Sequence, residues 1–220
     1  MNYFIDIIDT TTGDLVLIQE YASRSGLTLE WKGNDAKDEL LSRIKEHVQH
    51  WPLGDPLDPE NRIGALVSKA HFNKVSGYLE DIDAVLGGKT VGGVYVEPTI
   101  LELPDPSARH AQEEIFGPIL SVLTVSSFEE AIKIANDTEY GLCASLFTSN
   151  AKRALRGARQ LRAGTVSVNC YSEGDISTPF GGYKQSGFGG RDNSTHAHDQ
   201  YTQIKTIWID LADDQDEAVE

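Results

Sequence analysis

The chain of 220 residues contains two thiols, Cys143 and Cys170. A cysteine that reaches its thiolate form is the strongest ordinary nucleophile a protein can offer near neutral pH. Both sit in apolar runs, without metal-ligand spacing or a paired framework, so a buried and unreactive thiol is the default for each. Their unpaired spacing suggests a reducing compartment. Thr178–Arg191, TPFGGYKQSGFGGR, holds five glycines in fourteen residues and cannot be a stable helix or strand. It must be a loop whose backbone turns tightly or approaches another group closely. Just before it, Tyr171–Asp175 carries Glu173 and Asp175, acids in a glycine-containing loop of the kind that more often merely stay hydrated.

Elements must position these groups. Asp35 can cap a helix running to about Trp51, with Leu40, Leu41, Ile44, Val48 and Trp51 on one face and Pro52 as its stop. The Pro- and acid-rich stretch to Arg62 reads as a surface loop. A second helix starts near Ser68, buries Phe72, Val75, Leu79 and Ile82, and ends before Gly87-Gly88. Strands are expected at Val94–Leu101, Ile119–Val125, Cys143–Thr148 and Thr165–Asn169. Between them, Ser127–Asn136 reads as a helix with a Ser127/Glu130 capping box and a Phe128, Ala131, Ile132, Ala135 face. A further helix should turn Ala151, Ala154, Leu155, Ala158 and Leu161 inward and stop at Gly164. The alternation predicts an α/β fold with a largely parallel sheet and flanking helices. Sites in such sheets lie beyond the carboxyl ends of the strands, where Cys170 falls. Gln203–Leu211 is an isolated β-type stretch that needs a partner, and a subunit contact is expected there.

The formal net charge of −15, with six acids and no base from Asp210 onward, repels phosphate backbones, and no basic stripe with interleaved aromatics offsets it, so nucleic acid is not an expected partner. Residues 212–220 read as an acidic, disordered tail. No apolar run reaches the length of a membrane span, and Asp6 and Asp9 break the one at the N-terminus. A soluble, cytoplasmic protein is expected.

Five stretches resemble the NAD(P)-dependent aldehyde dehydrogenases, in that family's order and spacing: VEPTIL at Val96, EEIFGPIL at Glu113, NDTEYGLCASLFT at Asn136, AGTVSVNCY at Ala163 and PFGGYKQSG at Pro179. YSEGDIST followed by PFGGYKQSG and a final KTIWI looks most like the branch acting on γ-glutamyl-aminobutyraldehyde and related aminoaldehydes. The resemblance implies a partition into residues 1–35 as the remnant of the end of a cofactor domain, 36–200 as a catalytic domain and 201–211 as an oligomerisation strand joining copies of the chain. The stretch Asp14–Gly26, DLVLIQEYASRSG, looks like the helix preceding the family's glutamate signature.

The chemistry so implied oxidises an aldehyde to an acid. It needs a thiolate, oxyanion donors, a nicotinamide to accept hydride, and a base to activate water. Glu114 matches the glutamate holding the nicotinamide ribose hydroxyls, and Phe116 the aromatic beside that ring. Lys74 and His71 match positions at the cofactor's other ribose. Phe180 matches an aromatic at the inner end of the substrate tunnel, with Asp175 at its mouth. Glu30, in LEWKGNDA, is the matching general base. The nucleophile is absent: little more than one helix separates Glu30 from Gly54, and a rival alignment through Tyr21 supplies only a phenol, mostly protonated with a pKa of about 10. No strand leads into a glycine-rich turn and helix, so NAD or NADP is the implied cofactor but has few contacts with this chain alone. The expected partners are a small-molecule aldehyde and further copies of the chain. Two readings follow: a family member active only as part of a longer chain, or a non-catalytic homologue serving as a subunit or interaction module.

Overall fold

A computed structural model describes residues 4–9, 14–19, 36–170 and 175–210. The chain begins with two antiparallel strands, β1 (Phe4–Asp9) and β2 (Asp14–Gln19). The helix expected from Asp14 onward is therefore a strand over its first part. Leu15–Ile18 is a short unbroken apolar run, whose period cannot separate helix from strand, and here it has a pairing partner on each side. Glu30, Tyr21 and the Asp35 cap lie outside the described residues.

The helix α1 (Ala36–Val48) buries Leu40 and Leu41 against Ile100 and Val122, with Ile44 packed beside them. α2 (Lys69–Ser76) is capped as expected, the Ser68 hydroxyl accepting from the His71 N–H at 3.1 Å. It is shorter than the stripe suggested. Gly77 ends it, yet Phe72, Val75, Leu79 and Ile82 still share one core cluster, so a turn carries the last two to the same place. A short strand that the sequence concealed, β3 (Ala84–Leu86), follows. The single strand expected over Val94–Leu101 is divided. β4 (Thr90–Val91) and β5 (Tyr95–Val96) make a small ribbon, and β6 (Thr99–Leu103) joins the main sheet. Pro98, which has no N–H for the ladder, sits at the division.

A single turn, α3 (Arg109–Gln112), leads to β7 (Ile119–Val125) and α4 (Phe128–Asn136). In α4 the Ser127 hydroxyl accepts from the Glu130 N–H, the Glu130 carboxylate accepts from the Ser126 N–H, and the expected four apolar residues are buried. β8 (Cys143–Phe147), α5 (Ala151–Gln160) and β9 (Thr165–Val168) complete the main sheet. The inward face of α5 differs from expectation: Ala151 is exposed and Leu155 is 63% exposed, while Gly157 is buried. A Cβ at Gly157 would lie 2.4 Å from Leu146 Cδ2, so the helix meets the sheet through its one glycine.

The sheet order is β3-β6-β7-β1-β2-β8-β9. The pairs β6/β7, β7/β1 and β8/β9 are parallel; the β1–β2 hairpin and β3 add antiparallel pairs. The α/β architecture is the expected one. Residues 202–210 form no strand within this chain, and none of the described residues pairs with them. Ile204, Ile207, Trp208 and Ile209 are exposed. The tail from 211 lies outside the described residues. Among the described residues no helix is long and apolar enough to cross a membrane, and no group of three His, Cys, Asp or Glu side chains could hold a metal.

Candidate functional site

The segment Glu113–Gly117 turns the chain from α3 into β7. Ile115 is buried in the cluster beneath α2, and Gly117 lies against that helix: a Cβ there would meet Val75 Cγ1 at 2.7 Å. Phe116, between them, takes a left-handed φ of 58° that only a few per cent of non-glycine residues adopt, and its ring stays 38% exposed. Lys74 Nζ donates to the Glu114 carbonyl at 2.7 Å and lies 5.6 Å from the Phe116 ring centroid. The fold thus brings Lys74 to Glu114 and Phe116, which lie about forty residues further along the chain. The Lys74 amine is committed to a main-chain carbonyl, which makes it a holder of this turn. His71, on the same helix, has a buried Nε2 with no hydrogen-bond partner among the described residues.

A clasp that the sequence did not announce backs the turn. The buried Tyr78 donates its hydroxyl to the Glu113 carboxylate, the Arg109 guanidinium lies 4.0 Å over the Tyr78 ring, and the His110 ring bonds the Tyr78 carbonyl at 2.8 Å. Burial, and then the bond to Glu113, raise the Tyr78 pKa. The adjacent acids Glu113 and Glu114 were the only signal; one faces the clasp and the other remains available.

The glycine-rich loop docks on the connection between α4 and β8. Lys184 Nζ donates to the carbonyls of Asn136 and Thr138, both at 2.8 Å, and burial, with the nearby Arg162, lowers its pKa. The Tyr183 and Gln185 N–H groups donate to the Gly141 and Glu139 carbonyls, and the Ser186 hydroxyl accepts from the Gly141 N–H. The glycines are needed for this approach: a Cβ at Gly164 would lie 1.7 Å from the Gly181 carbonyl oxygen. Phe180, 37% exposed, is held by a two-way backbone bridge to Asp192. Asp175 closes its own turn. The Ser177 hydroxyl and then the Ser177 N–H, from which the carboxylate accepts at 2.7 Å, lower its pKa, and the group is exposed. Residues 171–174, with Glu173, lie outside the described residues. Arg191 donates to the Gly190 carbonyl and sits 5.6 Å from the Tyr183 ring.

Cys143 opens β8 and Cys170 follows β9, both half-buried and neither in a disulfide. Cys170 comes just after Asn169, whose side-chain amide pairs in both directions with the Thr148 backbone at 2.8 and 3.0 Å and whose φ is 55°. Among the described residues nothing hydrogen-bonds the Cys170 sulfur. A half-buried carboxylate at Glu114, with none of its oxygens bonded among the described residues, suits a vicinal diol, which donates two hydroxyls; the exposed Phe116 ring beside it suits a flat heterocycle. The residues present therefore fit the nicotinamide-ribose end of a dinucleotide.

Comparison with known proteins agrees with that chemistry. The model of the aldehyde dehydrogenase family matches residues 33–207. Aminoacetaldehyde dehydrogenase of Pseudomonas aeruginosa is 55% identical over 183 residues, covering 81% of this chain and 37% of that protein. The NADP/NAD-dependent aldehyde dehydrogenase PuuC of Escherichia coli is 44% identical over 179 residues, 79% of this chain and 36% of its own length. Among solved structures, an indole-3-acetaldehyde dehydrogenase in complex with NAD+ superposes with a TM-score of 0.73 at 50% identity, covering 80% of this chain and 37% of that one. The γ-glutamyl-γ-aminobutyraldehyde dehydrogenase of Burkholderia cenocepacia gives 0.72 at 48% identity, over 78% and 36%. The chain spans little more than a third of the length of these relatives.

Proposed function

This chain belongs to the aldehyde dehydrogenase family, and from that premise we propose that its site serves the oxidation of an aldehyde to a carboxylic acid with NAD or NADP, and that these 220 residues by themselves do not turn over. The supporting observation is the cofactor corner that the fold assembles from Lys74, Glu114 and Phe116, together with a Cys170 sulfur that nothing hydrogen-bonds among the described residues. Glu114 accepts the ribose hydroxyls, Phe116 packs against the nicotinamide, and Lys74 holds the turn that presents both. When bound, the dinucleotide supplies the hydride acceptor. Thiolate attack needs a lowered thiol pKa or an adjacent base. Cys170, beyond β9, has no base bonded to it among the described residues, and Cys143 opens β8 inside the sheet rather than beyond a strand's carboxyl end.

The substrate is an aldehyde carrying a cationic or amide-bearing tail, as in the aminoaldehyde-named relatives, passing Phe180 with Asp175 near the entrance. The catalytic base at Glu30 remains part of the same proposal, as does a cytoplasmic setting. Saturation-transfer NMR with NAD tests the corner directly. Contacts to the nicotinamide ribose should vanish in Glu114→Gln while the fold is unchanged; persistence of those contacts refutes the assignment. NADH formation by the purified chain from a panel of aldehydes would refute the claim of inactivity.

One observation favours the second reading, a non-catalytic subunit. Ile204, Ile207, Trp208 and Ile209 expose apolar surface in one short segment, with Trp208 at 92%. Pairing of that segment with another copy would cover it, and light scattering showing a strict monomer would remove this reading.

A further inference from the structure

Two adjacent acids, Glu113 and Glu114, lead into β7, and only one of them can face the cofactor corner. We infer that Tyr78 is a positioning residue: by holding the Glu113 carboxylate it sets Glu114, rather than its neighbour, toward the nicotinamide ribose, a role that rests on the cofactor reading proposed above.

Neighbouring carboxylates are ambiguous by chemistry, since each offers the same two oxygens to a diol. Backbone decides between them. Glu113 is extended, with φ −106° and ψ 146°, and in extended chain successive side chains leave on opposite sides. A half-turn of this segment about its own direction would exchange the two acids, so the side that Glu113 takes determines the side left to Glu114. Tyr78 fixes that side. Its ring is buried in the cluster that also holds Ile115, and its hydroxyl donates to the Glu113 carboxylate at 2.5 Å. Arg109 completes the hold, 3.8 Å from the same carboxylate and stacked over the Tyr78 ring. Release of Glu113 would leave a hydroxyl on a buried side chain without its partner, and that cost ties the acid in place.

The main chain is held from the same stretch of sequence. Lys74, one helical turn before Tyr78, donates to the Glu114 carbonyl, so Glu113 is gripped by its side chain and Glu114 by its backbone. Grips on consecutive residues fix the rotation of the segment; either alone would leave it free to turn about that point. Phe116 shows that the turn is held against its own preference. A left-handed φ on a large side chain persists only where the surroundings over-determine it. Phe116 has φ 58°, with Ile115 buried before it and Gly117 against Val75 after it. Tyr78 and Lys74 supply the restraint on the amino side. The Tyr78 hydroxyl thus acts on the corner through Glu113 and needs to touch no ligand atom.

NMR on the full 220-residue chain tests this with Tyr78→Phe, Glu113→Ala and Glu113→Gln. Tyr78→Phe deletes the donor alone, and Glu113→Gln keeps an oxygen for the hydroxyl. Glu113→Ala removes the acceptor at an exposed position, so a folded molecule remains for measurement even where Tyr78→Phe does not fold. Without ligand, the Phe116 backbone carbon shifts, which report its left-handed φ, should move toward ordinary values in Tyr78→Phe and Glu113→Ala and stay in place in Glu113→Gln. With NAD, saturation transfer to the nicotinamide ribose should fall roughly fivefold in the same two variants, the loss of about one hydrogen bond's worth of alignment, and be retained in Glu113→Gln. A purely structural support would lower the urea midpoint and leave both signals alone in molecules that remain folded. Unmoved Phe116 shifts, or unchanged ribose transfer, in Tyr78→Phe and Glu113→Ala overturn the role of Tyr78 and leave the cofactor assignment standing. Absence of ribose transfer in the unaltered chain removes that assignment, and the role of Tyr78 with it.

Discussion

Two lysines do the same work in two loops of the molecule, and they do it under different conditions. Lys74 holds the cofactor turn with one bond to the Glu114 carbonyl from an exposed position on α2. Lys184 holds the glycine-rich loop with bonds to two carbonyls, and burial lowers its pKa. Both anchors use a cation to fasten main chain rather than to pair with an acid, which leaves Glu114 free for a ligand. The difference is in redundancy. The cofactor turn has a second support in the Tyr78–Glu113–Arg109 clasp, whereas the loop depends on close backbone contact that only glycine permits.

That contrast can be broken most severely at Gly164. Gly164→Ala would drive a methyl group into the Gly181 carbonyl and should cost roughly 3 kcal/mol, read as a drop in the urea midpoint. An unchanged midpoint would show that the loop does not rest there. Lys184→Met removes two charge-assisted bonds at a partly buried place and should cost about 2 kcal/mol. The same variant sharpens the comparison through pH. Because the folded pKa of Lys184 lies below 10.5, the unfolded chain binds more protons between the two values, and the stability contributed at this position rises with pH across that window. The wild-type advantage over Lys184→Met should therefore widen as pH approaches 10.5; an advantage that shrinks contradicts the burial argument. Lys74→Met, with one exposed bond lost and the clasp intact, should cost no more than about 1 kcal/mol in the same titration. A loss as large as that of Lys184→Met would erase the distinction between the two anchors.

Much of this was legible in the residues, for physical reasons that also explain the gaps. Ile119–Val125 and the Ser127-capped helix announce themselves because a β-rich run, a cap and a 3.6-residue stripe agree. Leu155 misled because hydrophobicity was read as inwardness, while the true contact of α5 is Gly157, a residue with no side chain to count. Ala84–Leu86 was hidden because Ile82 prolongs the α2 stripe, and only the Gly77 cap marks the real end. The hairpin at the N-terminus could not be read as central strands, since its place is set by β7 and β8, more than a hundred residues away. In the site, Glu114, Phe116 and Lys74 could be named from motifs, but the sequence carried no sign that Lys74 would be committed to the Glu114 carbonyl. That Asp175 closes its own turn through Ser177 was not legible either, because an exposed loop acid and a turn-closing acid have the same local sequence.

The central claim is that a fitted cofactor corner stands here without a usable nucleophile. Mass spectrometry of the purified chain after incubation with an aminoaldehyde and NAD+ tests it most directly. The account predicts that Cys143 and Cys170 both remain unmodified; a covalent acyl adduct on either sulfur would contradict it.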